Sequence, residues 1–115
     1  MEKTQRRYLF VCAANRNRSP TAEEVARVLA DRNGLDIEVR SAGLSPFAEK
    51  PLTKEMADWA DLIFVMEDYM ARVLEATYGQ DPRKIICLDI PDLYERGDPV
   101  LVYLLEEALQ PYLTS

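Results

Sequence analysis

The chain reads as an α/β protein: a three-layer sandwich with a four-stranded parallel sheet and helices on both faces. Three observations carry this. Short apolar segments rich in Val, Ile, Leu and Phe alternate with stretches whose apolar residues recur at three- and four-residue spacing. The resulting order, β-α-β-α-β-α-β-α, implies parallel pairing through right-handed crossovers. A length of 115 residues, 48% apolar and 30% charged, suits one domain with enough core for a sheet covered on both sides.

Residues 7–12 are a nearly continuous apolar run, as in a strand buried on both faces. From Pro20, the positions Ala22, Val25, Ala26, Leu29 and Ala30 fall at helical spacing. Ser19 is expected as the N-cap, Pro20 at the first helical position and Gly34 just past the end. Residues 37–41 alternate in polarity and form the second strand. Residues 44–51 form a loop broken by Pro46 and Pro51. A short helix over 53–60 is expected to turn Leu52, Met56 and Trp59 inward.

Residues 61–66 are the third buried strand. Met70, Val73, Leu74 and Thr77 then mark a helix that Gly79 closes. Residues 84–88 form the fourth strand, also expected to be buried, and residues 89–97 a loop containing Pro91. Asp98-Pro99 is a cap followed by a first-position proline. The last helix carries Leu101, Leu104, Leu105, Ala108, Leu109 and Tyr112 on one face. Repeats and low-complexity segments are absent from the sequence.

A formal net charge of −6 disfavours general binding to nucleic acid or acidic membranes, so neither is expected as a partner. No apolar run approaches the roughly 20 residues of a membrane helix. Residues 1–7 have basic character, but the short apolar run after them flows straight into a loop, so no signal peptide is expected. Two cysteines without a signal point to a reducing, cytoplasmic setting. Histidine is absent, which removes Ser-His-Asp and Cys-His catalysis and histidine-ligated zinc. Carboxylates are left as proton carriers, and no metal or other cofactor is called for.

The chemistry concentrates in the stretch Cys12-Ala13-Ala14-Asn15-Arg16-Asn17-Arg18-Ser19-Pro20. It reads as strand, loop, helix, with a cysteine where the strand ends. Loops at the carboxyl ends of parallel strands are where ligands bind. A helix start offers unpaired N–H groups and a positive dipole end to an anion. Arg18 can fork onto two phosphate oxygens, and Arg16 adds charge at the rim. The same field favours a thiolate, the nucleophilic form of cysteine.

The spacing from Cys12 to Arg18-Ser19-Pro20 resembles the phosphate loop of the low-molecular-weight protein tyrosine phosphatases, which typically reads C-x-x-N-x-C-R-S-P. Cys12, Asn15, Arg18, Ser19 and Pro20 match, and Asn17 replaces the family's second loop cysteine. The resemblance extends to Ser41-Ala42-Gly43, to Asp61-Leu62-Ile63 with Met66, and to Asp89-Ile90-Pro91-Asp92. It is weakest between residues 43 and 61, where longer members carry an additional helical stretch lining the phosphotyrosine pocket. The chain is thus similar to a compact branch of the family, forming one such domain over residues 1–115.

The resemblance implies a cysteine-dependent phosphomonoesterase, protein-tyrosine-phosphatase-like, working through a phosphocysteine. Cys12 is then the nucleophile and Arg18 the clamp on equatorial oxygens. The loop from Ala13 and Ala14 through Asn15, Arg16, Asn17 and Arg18 to Ser19 binds phosphate. Asn15 holds the loop in shape, and the Ser19 hydroxyl donates to the sulfur. Expected ligands are a phosphorylated protein or small phosphomonoester, with inorganic phosphate or sulfate able to occupy the loop.

The family places its acid within I-P-D-P-Y; here Ile90-Pro91-Asp92-Leu93-Tyr94 stands in that place. Asp92 matches the general acid, Leu93 replaces the proline and Tyr94 matches a pocket wall. Asp98 is the alternative acid, although a helix cap explains it as well, and Asp89 reads as structural. Cys87 reads as a small core residue, with a resolving role toward Cys12 left open. Two alternatives stand beside the phosphatase: an arsenate reductase on the same scaffold, and a non-catalytic phosphate-binding module.

Overall fold

The computed structural model describes residues 5–114; the start of the basic N-terminal stretch, residues 1–4, and Ser115 lie outside the described residues. The strands are β1 (Arg6–Cys12), β2 (Ile37–Gly43), β3 (Leu62–Val65) and β4 (Ile85–Cys87). The helices are α1 (Arg18–Arg32), α2 (Lys54–Trp59), α3 (Asp68–Ala76) and α4 (Pro99–Leu109), each following the strand of the same number. All pairings are parallel, and the sheet order is β2-β1-β3-β4. The chain therefore steps one way from β1 to β2 and the other way from β2 to β3. With right-handed crossovers, that reversal puts α1 on one face and α2 and α3 on the other. Helix α4 packs on α1.

β1 is the centre of the molecule. Leu9, Phe10 and Val11 are fully buried, because two strands flank them and helices cover both faces. Phe10 lies opposite Phe64 in register, and their rings stack at 4.9 Å. Tyr8 and Tyr112 meet Phe64 edge-on, each at 5.2 Å. Such pairs contribute about 0.5–1.5 kcal/mol each beyond area burial. The Tyr8 hydroxyl donates to the Tyr112 carbonyl at 2.7 Å, tying the chain's last turn to the sheet.

Helix ends follow the turn chemistry. Gly34, at φ 66°, follows α1, and the Leu35 N–H returns to the Ala30 carbonyl at 2.8 Å. Thr53 caps α2 and Asp98 caps α4, the latter by accepting the Val100 N–H at 2.8 Å. Three expectations are corrected. Helix α1 begins at Arg18 with Asn17 in the cap position, so Ser19 is inside the first turn and caps nothing. Around α2, Leu52 and Ala57 are buried, whereas Met56 and Trp59 are half-buried. The Trp59 ring instead lies under the Arg40 guanidinium, 4.1 Å from its centroid, at the sheet edge. Strand β4 is half-buried throughout, because it pairs on one side only.

Candidate active site

The reversal of strand order between β1 and β3 opens a crevice outside their carboxyl ends, the usual ligand position in such sheets. Residues 13–17 run from the end of β1 into α1 across that crevice. Asn15 is in left-handed backbone, φ 52°, a conformation that asparagine tolerates better than most residues. The 44–49 segment braces the loop through its main chain. Leu44, Ser45 and Glu49 donate N–H bonds to the carbonyls of Cys12, Ala13 and Ala14 at 3.0, 3.0 and 3.2 Å. Gly43 permits the approach: a Cβ there would stand 2.7 Å from the Ala13 oxygen and 2.9 Å from the Asn15 nitrogen.

Three side chains converge inside the loop. The Cys12 Sγ lies 3.0 Å from the Ser19 Oγ and accepts the Asn15 N–H at 3.2 Å. The Asn15 side-chain amide donates to the same Ser19 oxygen at 2.8 Å. A hydroxyl that accepts from an amide keeps its own proton to give, and the sulfur is nearer than the Ala42 carbonyl at 3.5 Å. Cys12, Asn15 and Ser19 are all buried.

Arg18, 2% exposed, is held from the far side. Its Nη1 donates to the Glu67 carboxylate at 2.7 Å and to the Ile90 carbonyl at 2.8 Å. Its Nε lies 3.8 Å from the Asp92 carboxylate, which is itself 64% exposed. Cys12, Ala14, Arg16, Asn17, Arg18 and Asp92 line one small cup of about 100 Å³. Arg16 is exposed at its edge.

The other expected site residues fall elsewhere. Asp98 is engaged as the α4 cap and is not among the residues lining the cup. Tyr94 is half-buried against the core rather than lining the cup, while Leu93 beside it is 76% exposed. Asp89 takes left-handed backbone, φ 56°, where the chain leaves β4. Cys87 is half-buried, not fully buried; burial pushes its thiol above the ordinary value, and it lies 3.7 Å from an Asp89 oxygen. In register it is two strands from Val11. Two interstrand spacings are roughly 10 Å, beyond what a disulfide to Cys12 spans without backbone movement.

Two residues that the sequence reading passed over stand at the site. Glu67 follows β3, at the carboxyl end of the strand beside β1, and an acidic residue there was the available signal. Tyr69 is 43% exposed. Burial and the Glu67 charge push its hydroxyl above the ordinary value, Cys12 and Asp92 act in the same direction, and Arg18 opposes them. Behind the loop, a groove of about 290 Å³ is lined by paired charges that include Glu23, Arg27 and Lys50.

A thiol and a buried guanidinium at the two ends of one loop, at the carboxyl edge of a parallel sheet, define a cysteine-based phosphatase. The family model described as low molecular weight phosphotyrosine protein phosphatase matches residues 7–58. A protein-arginine-phosphatase of Bacillus subtilis (strain 168) is 30% identical over 102 residues, covering 70% of this chain and 68% of that protein. The chain belongs to the low molecular weight phosphotyrosine protein phosphatase family. Solved structures agree across nearly the whole fold. A YwlE mutant from Bacillus subtilis superposes with a TM-score of 0.78 at 25% identity, covering 94% of this chain and 96% of that one. A low molecular weight protein tyrosine phosphatase from T. tengcongensis gives 0.73 at 27% identity, covering 90% and 92%.

Proposed function

We propose that this protein hydrolyses phosphorylated protein side chains, with Cys12 as nucleophile, Arg18 as phosphate clamp and Asp92 as general acid. The observation that carries this reading is that one cup is lined by all three. The Cys12 thiolate attacks phosphorus in line with the leaving oxygen, so that an S–P bond forms as the P–O bond breaks. The leaving oxygen takes the Asp92 proton. Loop amides of residues 13–19 and the outer edge of Arg18 hold the equatorial oxygens, where charge concentrates during transfer. Asp92, now a carboxylate, takes a proton from water, which attacks phosphorus and releases the thiolate and inorganic phosphate. The Ser19 hydroxyl stabilises that departing sulfur, and Asn15 fixes the hydroxyl's direction.

Phosphotyrosine is the substrate that the family description supports. The relative that is a protein-arginine-phosphatase favours a second reading, phosphoarginine, on which Asp92 would protonate a guanidino nitrogen as a P–N bond breaks. Free cysteines suit a reducing compartment, so we place the enzyme in the cytoplasm. The test is Cys12→Ser assayed on phosphotyrosine and phosphoarginine peptides. Loss of turnover on the preferred peptide is expected; unchanged turnover overturns the assignment. The ratio of wild-type rates on the two peptides decides the substrate.

A further inference from the structure

We infer that Asn17 and Thr21 are positioning residues for Asp92: their side chains grip the backbone of Arg96 and Gly97 and so hold the acid-bearing loop over the cup. The inference rests on the reading of Asp92 as general acid. Asp92 is 64% exposed, and its carboxylate stands 3.8 Å from Arg18. Little packing fixes such a side chain, so its position depends on how the 89–98 backbone is anchored.

That segment is pinned at both ends to the elements that form the cup. At its start, the chain turns at Asp89, the Ile90 N–H bonds to the Met66 carbonyl at 2.9 Å, and the Ile90 carbonyl receives Arg18 at 2.8 Å. At its end, the chain turns at Gly97, φ 80°. The Arg96 N–H donates to Asn17 Oδ1 at 3.2 Å, and the Gly97 N–H donates to Thr21 Oγ1 at 3.1 Å. Asp92 lies on the span between these anchors.

Asn17 occupies the cap position of α1, where an asparagine side chain ordinarily accepts an N–H from the helix's own first turn. It makes no such bond, and its oxygen reaches Arg96 instead. Thr21 is 1% exposed, and its hydroxyl proton goes to the Asn17 carbonyl at 2.7 Å. With the proton so committed, one of the oxygen's two lone pairs accepts the Gly97 N–H. The Arg96 side chain adds an exposed pair with Glu24 at 3.2 Å. A thiol at position 17 would be a weak acceptor, so this grip depends on the asparagine that stands there in place of cysteine.

The test separates proton delivery from phosphate binding. Two substrates are used: an activated nitroaryl phosphate, whose leaving group needs little help, and phenyl phosphate, whose leaving group needs a proton. Asn17→Ala and Thr21→Val should each lower the phenyl-to-nitroaryl ratio of kcat/KM about tenfold, part of the hundredfold or more that general acids supply. Thr21→Ser, which keeps the hydroxyl, should restore the ratio. In an Asp92→Asn background, where the ratio has already fallen, neither change should move it further. Equal slowing of both substrates, or a shift that persists without Asp92, overturns the positioning role while leaving the acid intact. A normal ratio in Asp92→Asn itself overturns the acid assignment and the positioning role with it.

Discussion

The Glu67 carboxylate meets Arg18 Nη1 at 2.7 Å, the same nitrogen that reaches the Ile90 carbonyl at 2.8 Å. Both acceptors therefore hold the arginine by one terminal nitrogen, while its Nε faces Asp92 across the cup; on the proposed mechanism that second edge takes the phosphate. Burying a guanidinium without such partners is strongly unfavourable, so the bond to Glu67 also sets the conformation in which Arg18 is stable. Glu67→Ala is expected to lower kcat ten- to a hundredfold, in line with about 1.5–3 kcal/mol for a hydrogen bond between charged groups. Glu67→Gln, which keeps an acceptor, should lose less. Steady-state kinetics with an aryl phosphate check both. An alanine variant with normal kcat and tighter phosphate inhibition would mean that Glu67 acts only as a repulsive charge.

On the proposed mechanism, Ser19 bears on the second half of the reaction. Its hydroxyl is 3.0 Å from the sulfur and receives the Asn15 amide at 2.8 Å. A sulfur leaving phosphorus gains charge, so a fixed donor there helps most when the phosphocysteine breaks down. Ser19→Ala should slow that step about tenfold or more while the first step changes less. Rapid mixing with a nitroaryl phosphate would then show a burst of phenolate before the steady state. A variant that loses the steady rate without any burst would place the serine's effect in the attack step instead.

The fold, and the grouping of residues in the proposed site, were largely legible in the sequence. The alternation of apolar runs and helical spacing gives the sheet, because both signals are local. Cys12, Arg18 and Ser19 are readable as a unit because one short stretch of sequence carries them. Asp98-Pro99 reads as a cap because capping is also local, and Asp98 does accept the Val100 N–H. What stayed hidden depends on distant partners. Ser19 has a cap's chemistry, but burial beside Cys12 and Asn15 turns it inward, and the helix starts two residues earlier than a Ser19 cap implies. Glu67 gains meaning only once β3 lies beside β1 and Arg18 crosses toward it. Strand β4 carries an apolar run like a central strand's, and pairing on one side alone leaves it half-buried.

Gly43 makes a sharper demand on the loop than its place at a strand end suggests. It lies opposite Cys12 in register, and an added Cβ would stand 2.5 Å from the Ala48 Cβ, 2.7 Å from the Ala13 oxygen and 2.9 Å from the Asn15 nitrogen. Two of those atoms are main chain of the phosphate loop and cannot swing aside. Gly43→Ala should therefore displace the loop, weakening phosphate inhibition and kcat/KM by tenfold or more and destabilising the fold by about 1–3 kcal/mol, as overpacking does. Phosphate titration and urea unfolding of the same variant measure both effects. Wild-type phosphate affinity in a folded Gly43→Ala protein would show that the contact is not what shapes the loop.

Glu23 gives the stability a pH dependence with a defined sign. Burial pushes its carboxyl up. The hydrogen bonds from Ser41, at 2.6 Å, and from Arg27, with the charges of Lys50 and Arg27, outweigh burial and hold it below the ordinary 4.5. A carboxyl lowered in the folded state binds fewer protons there than in the unfolded chain. Its stabilisation is therefore complete above the unfolded value and is lost as the pH falls through the folded one. Glu23→Gln keeps the size and a carbonyl for Ser41 but carries no charge. At neutral pH the variant should be less stable by about 1 kcal/mol, the size of one charge-assisted bond discounted for partial solvent exposure. Below pH 4.5 the gap between the two proteins should narrow as wild-type Glu23 takes up its proton. Urea unfolding of both proteins at neutral and at acidic pH reads the gap directly. A gap of constant size across that range would assign the loss to packing around Ser41 rather than to the carboxylate's charge.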